Sequence, residues 1–175
     1  IATARASDFD WNAVFHEATW FHITGITPAL SATAAELALT AVREARQRGV
    51  TVSVDLNFRK KLWSWEPGTS AVDLARRVMT ELVGLVDVII ANEEDADLTL
   101  GIKAAESNVE EGRIHCEGYD LVAREIARRF PGVSRVAITL RESYSASHNN
   151  WGAMLFDREQ DESTFAPLDG AGEYS

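Results

Sequence analysis

Apolar positions follow two rhythms along this chain: short unbroken runs of strand length, and longer stretches in which they recur every three or four residues. Trp20 to Thr24 is a β-favouring run closed by Gly25. Beyond Pro28, Leu37, Ala41, Val42 and Ala45 recur at helical spacing. Thr33 and Glu36 have capping-box spacing, and Arg43, Arg46 and Arg48 crowd the far end before Gly49, so a helix is predicted from about 33 to 48. Val50 to Leu56 is apolar and β-branched with little polar alternation, the pattern of a strand covered on both faces. A second helix begins near Ser70, places Val72, Leu74, Ala75, Val78, Leu82 and Val83 towards one face, and stops at Gly84. Val86 to Ala91, interrupted by Asp87, predicts another buried strand, and Asn92 opens a helix that ends at Leu100-Gly101. From there to about Gly118 the periodicity fails, and this polar stretch with Glu106, Glu110 and Glu111 reads as a surface insertion with no core role. Tyr119 to Phe130 resumes helical spacing, Pro131-Gly132 halts it, and Arg135 to Leu140 is a further strand. A polar connection over 141–150 then leads to a last strand, Trp151 to Phe156.

Strands that alternate with helices, joined by connections long enough for right-handed crossovers, predict an α/β protein with a mainly parallel sheet. No repeat or low-complexity tract divides residues 1–175, so one domain is expected. In open parallel sheets ligands bind beyond the carboxyl ends of the strands. The polar residues after each strand are therefore the candidates for function.

Composition narrows the ligand. The 27 acidic and 17 basic residues give a net charge of -10. With no basic run to offset that charge, nucleic acid is a poor partner. No apolar run approaches the roughly 20 residues that cross a bilayer, so no membrane partner is expected either. Cys116 is the only cysteine, which excludes an internal disulfide and favours a reducing, cytoplasmic setting. The opening residues form neither a signal peptide nor an initiating Met, and the chain reads as a piece of a longer one. A small molecule is the expected partner.

Three strand ends carry chemistry. Asp55, Asn57 and Arg59 alternate off the end of a buried strand. Arg59 offers a planar fork to a carboxylate or phosphate, and Asp55 or Asn57 can receive sugar hydroxyls or steady the arginine. The same residues also suit a plain turn, with Asp55 capping loop amides. Asn92-Glu93-Glu94-Asp95 stands at a helix start, where it can orient hydrated Mg²⁺ or simply cap the helix. Thr139, Arg141 and Ser143, with Ser145, Ser147 and His148 beyond, suit phosphate or ribose, or else a polar hairpin connection. There is no P-loop and no complete Gly-x-Gly-x-x-Gly, and His16, His22, His115 and His148 lack metal-ligand spacing. His22 reads as a satisfied strand residue, and Trp63 and Trp65 as packing residues near Arg59.

Taken in order, Asp55-Leu-Asn57-Phe-Arg59-Lys-Lys-Leu-Trp63, Asn92-Glu-Glu-Asp95 and Val136-Ala-Ile-Thr139-Leu-Arg141-Glu-Ser143 resemble the ribokinase-like (PfkB) carbohydrate kinases, nearest their 2-keto-3-deoxygluconate kinase branch. The segment Trp20 to Ser31 is similar to the same branch. The resemblance implies a three-layer α/β/α fold of which this chain is a central fragment. It also implies ATP- and Mg²⁺-dependent phosphorylation of a sugar acid such as 2-keto-3-deoxygluconate. Arg59, with Asn57 and Asp55, falls at the substrate, Asn92 and Asp95 at Mg²⁺, and Asn92, Thr139, Arg141 and Ser143 at the nucleotide. Asp95 stands where the family motif has Glu, and Arg141 where relatives often carry Gly. The family's later Gly-rich turn with its catalytic Asp has no counterpart here, since Asp169-Gly-Ala-Gly172-Glu173 runs in the wrong order. No catalytic residue is therefore expected on this chain, and by itself it should be inactive. A homo-oligomer is a further expectation, because the family's lid often mediates dimers. A non-catalytic α/β module that binds a small acid or an assembly partner through the same strand ends is the competing expectation.

Overall fold

The computed structural model describes residues 1–103, 116–143 and 149–166. After a short 3-10 turn at Ala6–Asp8, its elements are α1 (Trp11–Val14), β1 (Trp20–Thr24), α2 (Ile26–Ala29), α3 (Ala32–Gln47), β2 (Thr51–Asp55), α4 (Ala71–Val83) and β3 (Val88–Ala91). Then come α5 (Glu93–Leu100), α6 (Cys116–Arg129), β4 (Arg135–Ser143), β5 (Asn149–Asp157) and β6 (Glu162–Ala166). They form one six-stranded sheet whose spatial order is the sequence order. β1 to β4 are parallel, and β4, β5 and β6 pair antiparallel.

Parallel neighbours taken in sequence, each reached by a right-handed crossover, put every helix on the same side of the sheet. The burial pattern agrees. Ile23, Val54, Ile89, Val136, Ile138 and Met154 are buried and share one core with Val42 of α3, Leu74 and Met79 of α4 and Ile126 of α6. The residues that alternate with them face away from the helices. His22, Arg135 and Thr139 on that second face are exposed, and Trp20 and Leu155 keep 55% and 41% of their surface open. The centre of β2 is nevertheless covered on both faces, as expected, with Val52 and Val54 buried on the helix side and Ser53 on the other. Ser53, on the second face, is buried where Trp20 and His22 both reach its hydroxyl. The second helical layer of the expected three-layer stack does not lie among the described residues. No described helix is long and apolar enough to cross a membrane.

The helix starts follow their caps. The Ser70 hydroxyl accepts the Asp73 amide at 3.1 Å, as the sequence implies. For α3 the cap is Ser31, which accepts the Ala34 amide at 3.0 Å, so the helix begins ahead of the Thr33–Glu36 pair and Thr33 lies inside its first turn. Ser31→Ala should lower stability by about 1 kcal/mol, read as a shift in the urea midpoint. A change below about 0.3 kcal/mol, well short of a usual cap, would dismiss the cap's role. The stop at Gly101 is a left-handed glycine (φ 67°) whose N–H reaches the Asp97 carbonyl at 2.8 Å. Arg158, just after β5, donates to the Ala127 carbonyl at 2.6 Å and the Pro131 carbonyl at 2.7 Å, gripping the end of α6.

Several boundaries differ from expectation. Ile102 is buried and its amide bonds the Ala96 carbonyl, so the core reaches one residue into the stretch read as surface insertion. Residues 104–115 of that stretch lie outside the described residues. α6 starts at Cys116, ahead of the predicted Tyr119. The described parts of the polar connection over 141–150, residues 141–143 and 149–150, are ladder, with Arg141 opposite Trp151 and Ser143 opposite Asn149, and 144–148 lie outside the described residues. Backbone pairing carries the strand there, and side-chain polarity does not report it. β6, an edge strand with alternating exposure, and the N-terminal turn and α1 were not expected; they are too short and too polar to show a period.

Candidate functional site

The strand register builds the site. Asp55 pairs with Ile90 of β3, and Ile90 with Ala137 of β4. Two residues beyond that row come Asn57, Asn92 and Thr139, so the three predicted strand ends share one edge, on strands roughly 5 Å apart. Thr139 donates its hydroxyl to the Ala91 carbonyl at 3.4 Å, which ties it to the end of β3. β4 runs on to Ser143, so Thr139 lies within a strand and only its position beyond the end of β3 makes it terminal. Arg141 and Ser143 continue along the same strand. Their side chains, the segment with Ser145, Ser147 and His148, and Asp169 to Glu173 lie outside what is described.

Asp55 closes β2, and the nearby backbone N–H of Asn57 lowers the pKa of its carboxyl against the effect of burial. Asn57 has φ +36°, a left-handed conformation that Asn tolerates better than most residues. Its side-chain amide donates to the Thr24 hydroxyl at 3.4 Å. Leu56 and Phe58 turn into the core, while Arg59 is exposed. The Arg59 guanidinium donates to its neighbour's carbonyl, Phe58 O, at 3.0 Å and enters no ion pair among the described residues. It stays available for an incoming anion.

On the adjoining element Asn92 caps α5, accepting the Asp95 amide at 2.6 Å. Asp95 is 7% exposed, and one carboxylate oxygen accepts the Phe58 amide at 3.1 Å. Burial raises the Asp95 pKa above the ordinary carboxylate value; Asp55 and Glu94 add to the rise, while the Phe58 N–H and Arg59 oppose it. Burial raises Asp55 as well, against the pull of His22, the Asn57 N–H and Arg59. The edge therefore joins an exposed guanidinium to two carboxylates that are costly to ionise, the state a bound cation would relieve. Sequence reasoning missed Thr24 and the Phe58 amide. Only the register of β1 against β2, Thr24 opposite Asp55, could have shown the first.

The remaining candidates sort into packing. His22 Nδ1 lies 2.9 Å from the Ser53 hydroxyl, which also receives the Trp20 indole N–H at 2.8 Å. Trp63 is buried, and Trp65 donates to the Pro28 carbonyl at 3.3 Å. A cavity lined by Arg46, Asp87, Ser134 and Arg135 opens at the other end of the strands, and Asp87 and Asp157 occupy its two arginines.

Residues 1–117 match the model of the pfkB family carbohydrate kinases. This chain belongs to that family. Over 95 residues, 54% of the chain, it is 38% identical to the 2-dehydro-3-deoxygalactonokinase of Haloferax volcanii, covering 27% of that protein. Over 94 residues, 53% of the chain, it is 34% identical to the 2-dehydro-3-deoxygluconokinase of Bacillus subtilis, covering 26% of it. The crystal structure of the Thermotoga maritima 2-dehydro-3-deoxygluconokinase superposes with a TM-score of 0.80 at 38% identity, over 94% of this chain and 45% of that one. The chain thus spans about a quarter of the curated relatives and under half of the solved one.

In this pfkB chain no group of three or more His, Cys, Asp or Glu residues among the described ones could cage a metal. The donors present suit Mg²⁺ differently. That ion keeps several waters and takes one or two carboxylates together with substrate phosphates, and Asp95, raised by burial, supplies one such carboxylate beside the Asn92 amide. The Thr139 hydroxyl, exposed on the same edge, fits a phosphate or ribose of a nucleotide.

Proposed function

We propose that these residues are the central part of an ATP- and Mg²⁺-dependent sugar-acid kinase that phosphorylates a hydroxyl of 2-keto-3-deoxygluconate or of a close epimer. One observation carries the reading: Arg59 is exposed and free of ion pairs among the described residues, on a loop at the same sheet edge as Asn92 and Thr139. A guanidinium left open beside a row of polar strand ends suits a substrate that carries its own carboxylate. The relatives that act on 2-dehydro-3-deoxy sugar acids support that choice of substrate.

In this reading the Arg59 fork takes the sugar acid's carboxylate, and Asn57 and Asp55 meet its hydroxyls. Asn92 and Asp95 flank Mg²⁺, with Asp95 acting through bound water. Asn92, Thr139, Arg141 and Ser143 hold the nucleotide. When bound, ATP supplies the phosphoryl group and Mg²⁺ offsets its charge. No residue here is assigned as the base that accepts the substrate's proton or as the donor that stabilises the transferred group, so residues 1–175 by themselves should turn over negligibly. More protein is proposed to pack on the second sheet face, where Trp20 and Leu155 stand exposed among the described residues. The whole kinase is proposed to work in the cytoplasm, as a homo-oligomer.

The test is ADP release by the full-length protein containing these residues, with ATP, Mg²⁺ and either 2-keto-3-deoxygluconate or 2-keto-3-deoxygalactonate. Turnover with at least one is expected. Failure with every 2-keto-3-deoxy acid tried would overturn the substrate assignment, and tight binding of such an acid without ADP release would favour a non-catalytic binding module.

A further inference from the structure

The loop that presents Arg59 has few side-chain ties to other elements. Asn57 sits in a left-handed conformation, its contact to Thr24 is long at 3.4 Å, and among the described residues the Arg59 guanidinium bonds only the carbonyl of the residue before it, while the Arg59 carbonyl takes the Leu62 N–H at 2.9 Å within the loop itself. The buried hydrogen bond that fastens this loop to α5 runs from the Phe58 N–H to Asp95 Oδ1 at 3.1 Å, between residues 37 apart in sequence. Asp95 is itself held. Its amide donates to Asn92 Oδ1 at 2.6 Å, and its carbonyl accepts the hydroxyl of the fully buried Thr99 at 2.7 Å. The Phe58 ring is buried as well, so water cannot readily replace the bond on either side.

We propose that Asp95 is a positioning residue: its carboxylate latches the Phe58 amide, fixing the loop from which Arg59 meets the sugar acid and joining that loop to the first turn of α5, where Asn92 stands. The consequence for catalysis rests on the kinase reading above, but the latch itself does not. It follows from a carboxylate whose oxygen is already engaged by a backbone donor of another element. The engaged oxygen also accounts for an aspartate at this place, because the shorter side chain ends at the Phe58 amide.

The experiment uses the full-length protein with Asp95→Asn, Asp95→Ala and Asp95→Glu, and reads amide hydrogen exchange at Phe58 together with separate KM values for sugar acid and half-saturation for Mg²⁺. In Asp95→Ala the Phe58 amide should exchange at least about tenfold faster and the sugar-acid KM should rise about tenfold or more, the scale of a lost charge-assisted hydrogen bond. Mg²⁺ half-saturation should move less than the sugar KM. Asp95→Asn, which keeps an acceptor oxygen, should restore most of the slow exchange and part of the sugar affinity. If Asp95→Ala does not fold, Asp95→Leu, which keeps the branched skeleton and has no acceptor, is read in its place. Unchanged Phe58 exchange in the Ala or Leu variant would overturn the latch. So would a shift confined to Mg²⁺ half-saturation that Asp95→Glu corrects, because it would make Asp95 a metal-side group only. If no sugar acid is phosphorylated, the kinase reading fails alone, and the exchange rate still decides for or against the latch.

Discussion

Gly25→Ala is expected to destabilise the protein by about 3 kcal/mol or more, the upper end of the overpacking range. Gly25 has φ -60° and ψ -10°, values open to any residue, so backbone freedom is not the reason for glycine. Space is the reason. A Cβ at this position would lie 2.0 Å from the Leu56 carbonyl oxygen, 2.9 Å from its carbon and 3.3 Å from the Met79 methyl. The first two contacts are backbone, which cannot swing aside as a side chain can. The Gly25 N–H also donates to the Asp55 carbonyl at 2.7 Å, so relieving the clash means parting the ends of β1 and β2. Because Leu56 leads into Asn57 and Phe58, the same displacement should disturb the Arg59 loop. Chemical denaturation of the full-length protein checks the size of the effect. A Gly25→Ala variant within 1 kcal/mol of the parent would show that the strand ends give way more easily than this packing implies.

Gly25 also shows where sequence reading stops. In the sequence it is a residue that ends a strand, and that is correct. Its close approach to Leu56 depends on the pairing of β1 with β2, which no local pattern contains. The same division holds across the fold. The helices α3 and α4 and strands β1 to β4 are legible because each buries an apolar stripe or run whose period survives in the sequence, and α5 is legible from its Asn92 cap and Gly101 stop. β6 and the outer parts of β4 and β5 are held by antiparallel backbone bonds, and backbone bonds leave no period. Ile102 joins the core from a stretch with no period at all. At the site, Asp55, Asn57, Arg59, Asn92 and Thr139 could be picked out as polar residues following strands, and register does bring Asn57, Asn92 and Thr139 to one edge. What Asp95 does locally was not legible, because its partner is a main-chain amide 37 residues away. The motif alone points Asp95 at a metal; the structure shows one of its oxygens already engaged.

Replacing Arg59 should change activity more than any other substitution at this edge. Two hydrogen bonds from a guanidinium to a carboxylate, each charge-assisted and worth roughly 1.5–3 kcal/mol, imply that Arg59→Ala lowers kcat/KM for the sugar acid by about 10² to 10⁴. Most of the loss should fall on KM, since a carboxylate remote from the reacting hydroxyl is held alike in the ground and transition states. Arg59→Lys keeps the charge but not the planar fork and should recover only part of the loss. Fold stability at neutral pH should fall little, because the side chain is exposed and its one described bond goes to the adjacent carbonyl. A second, independent effect follows from charge. Arg59 opposes the rise in both the Asp55 and Asp95 pKa values, so its removal lets them climb further. For a carboxyl whose folded pKa lies above its unfolded value, the stabilising contribution is full below the unfolded value, near 3.8, and is lost as pH rises through the folded one. The small penalty in Arg59→Ala should therefore be present at neutral pH and fade on acidification, and the acid limb of its activity profile should move to higher pH. A parental sugar-acid KM in Arg59→Ala would assign the carboxylate to another group, and an unmoved acid limb would mean that neither aspartate titrates in the working enzyme.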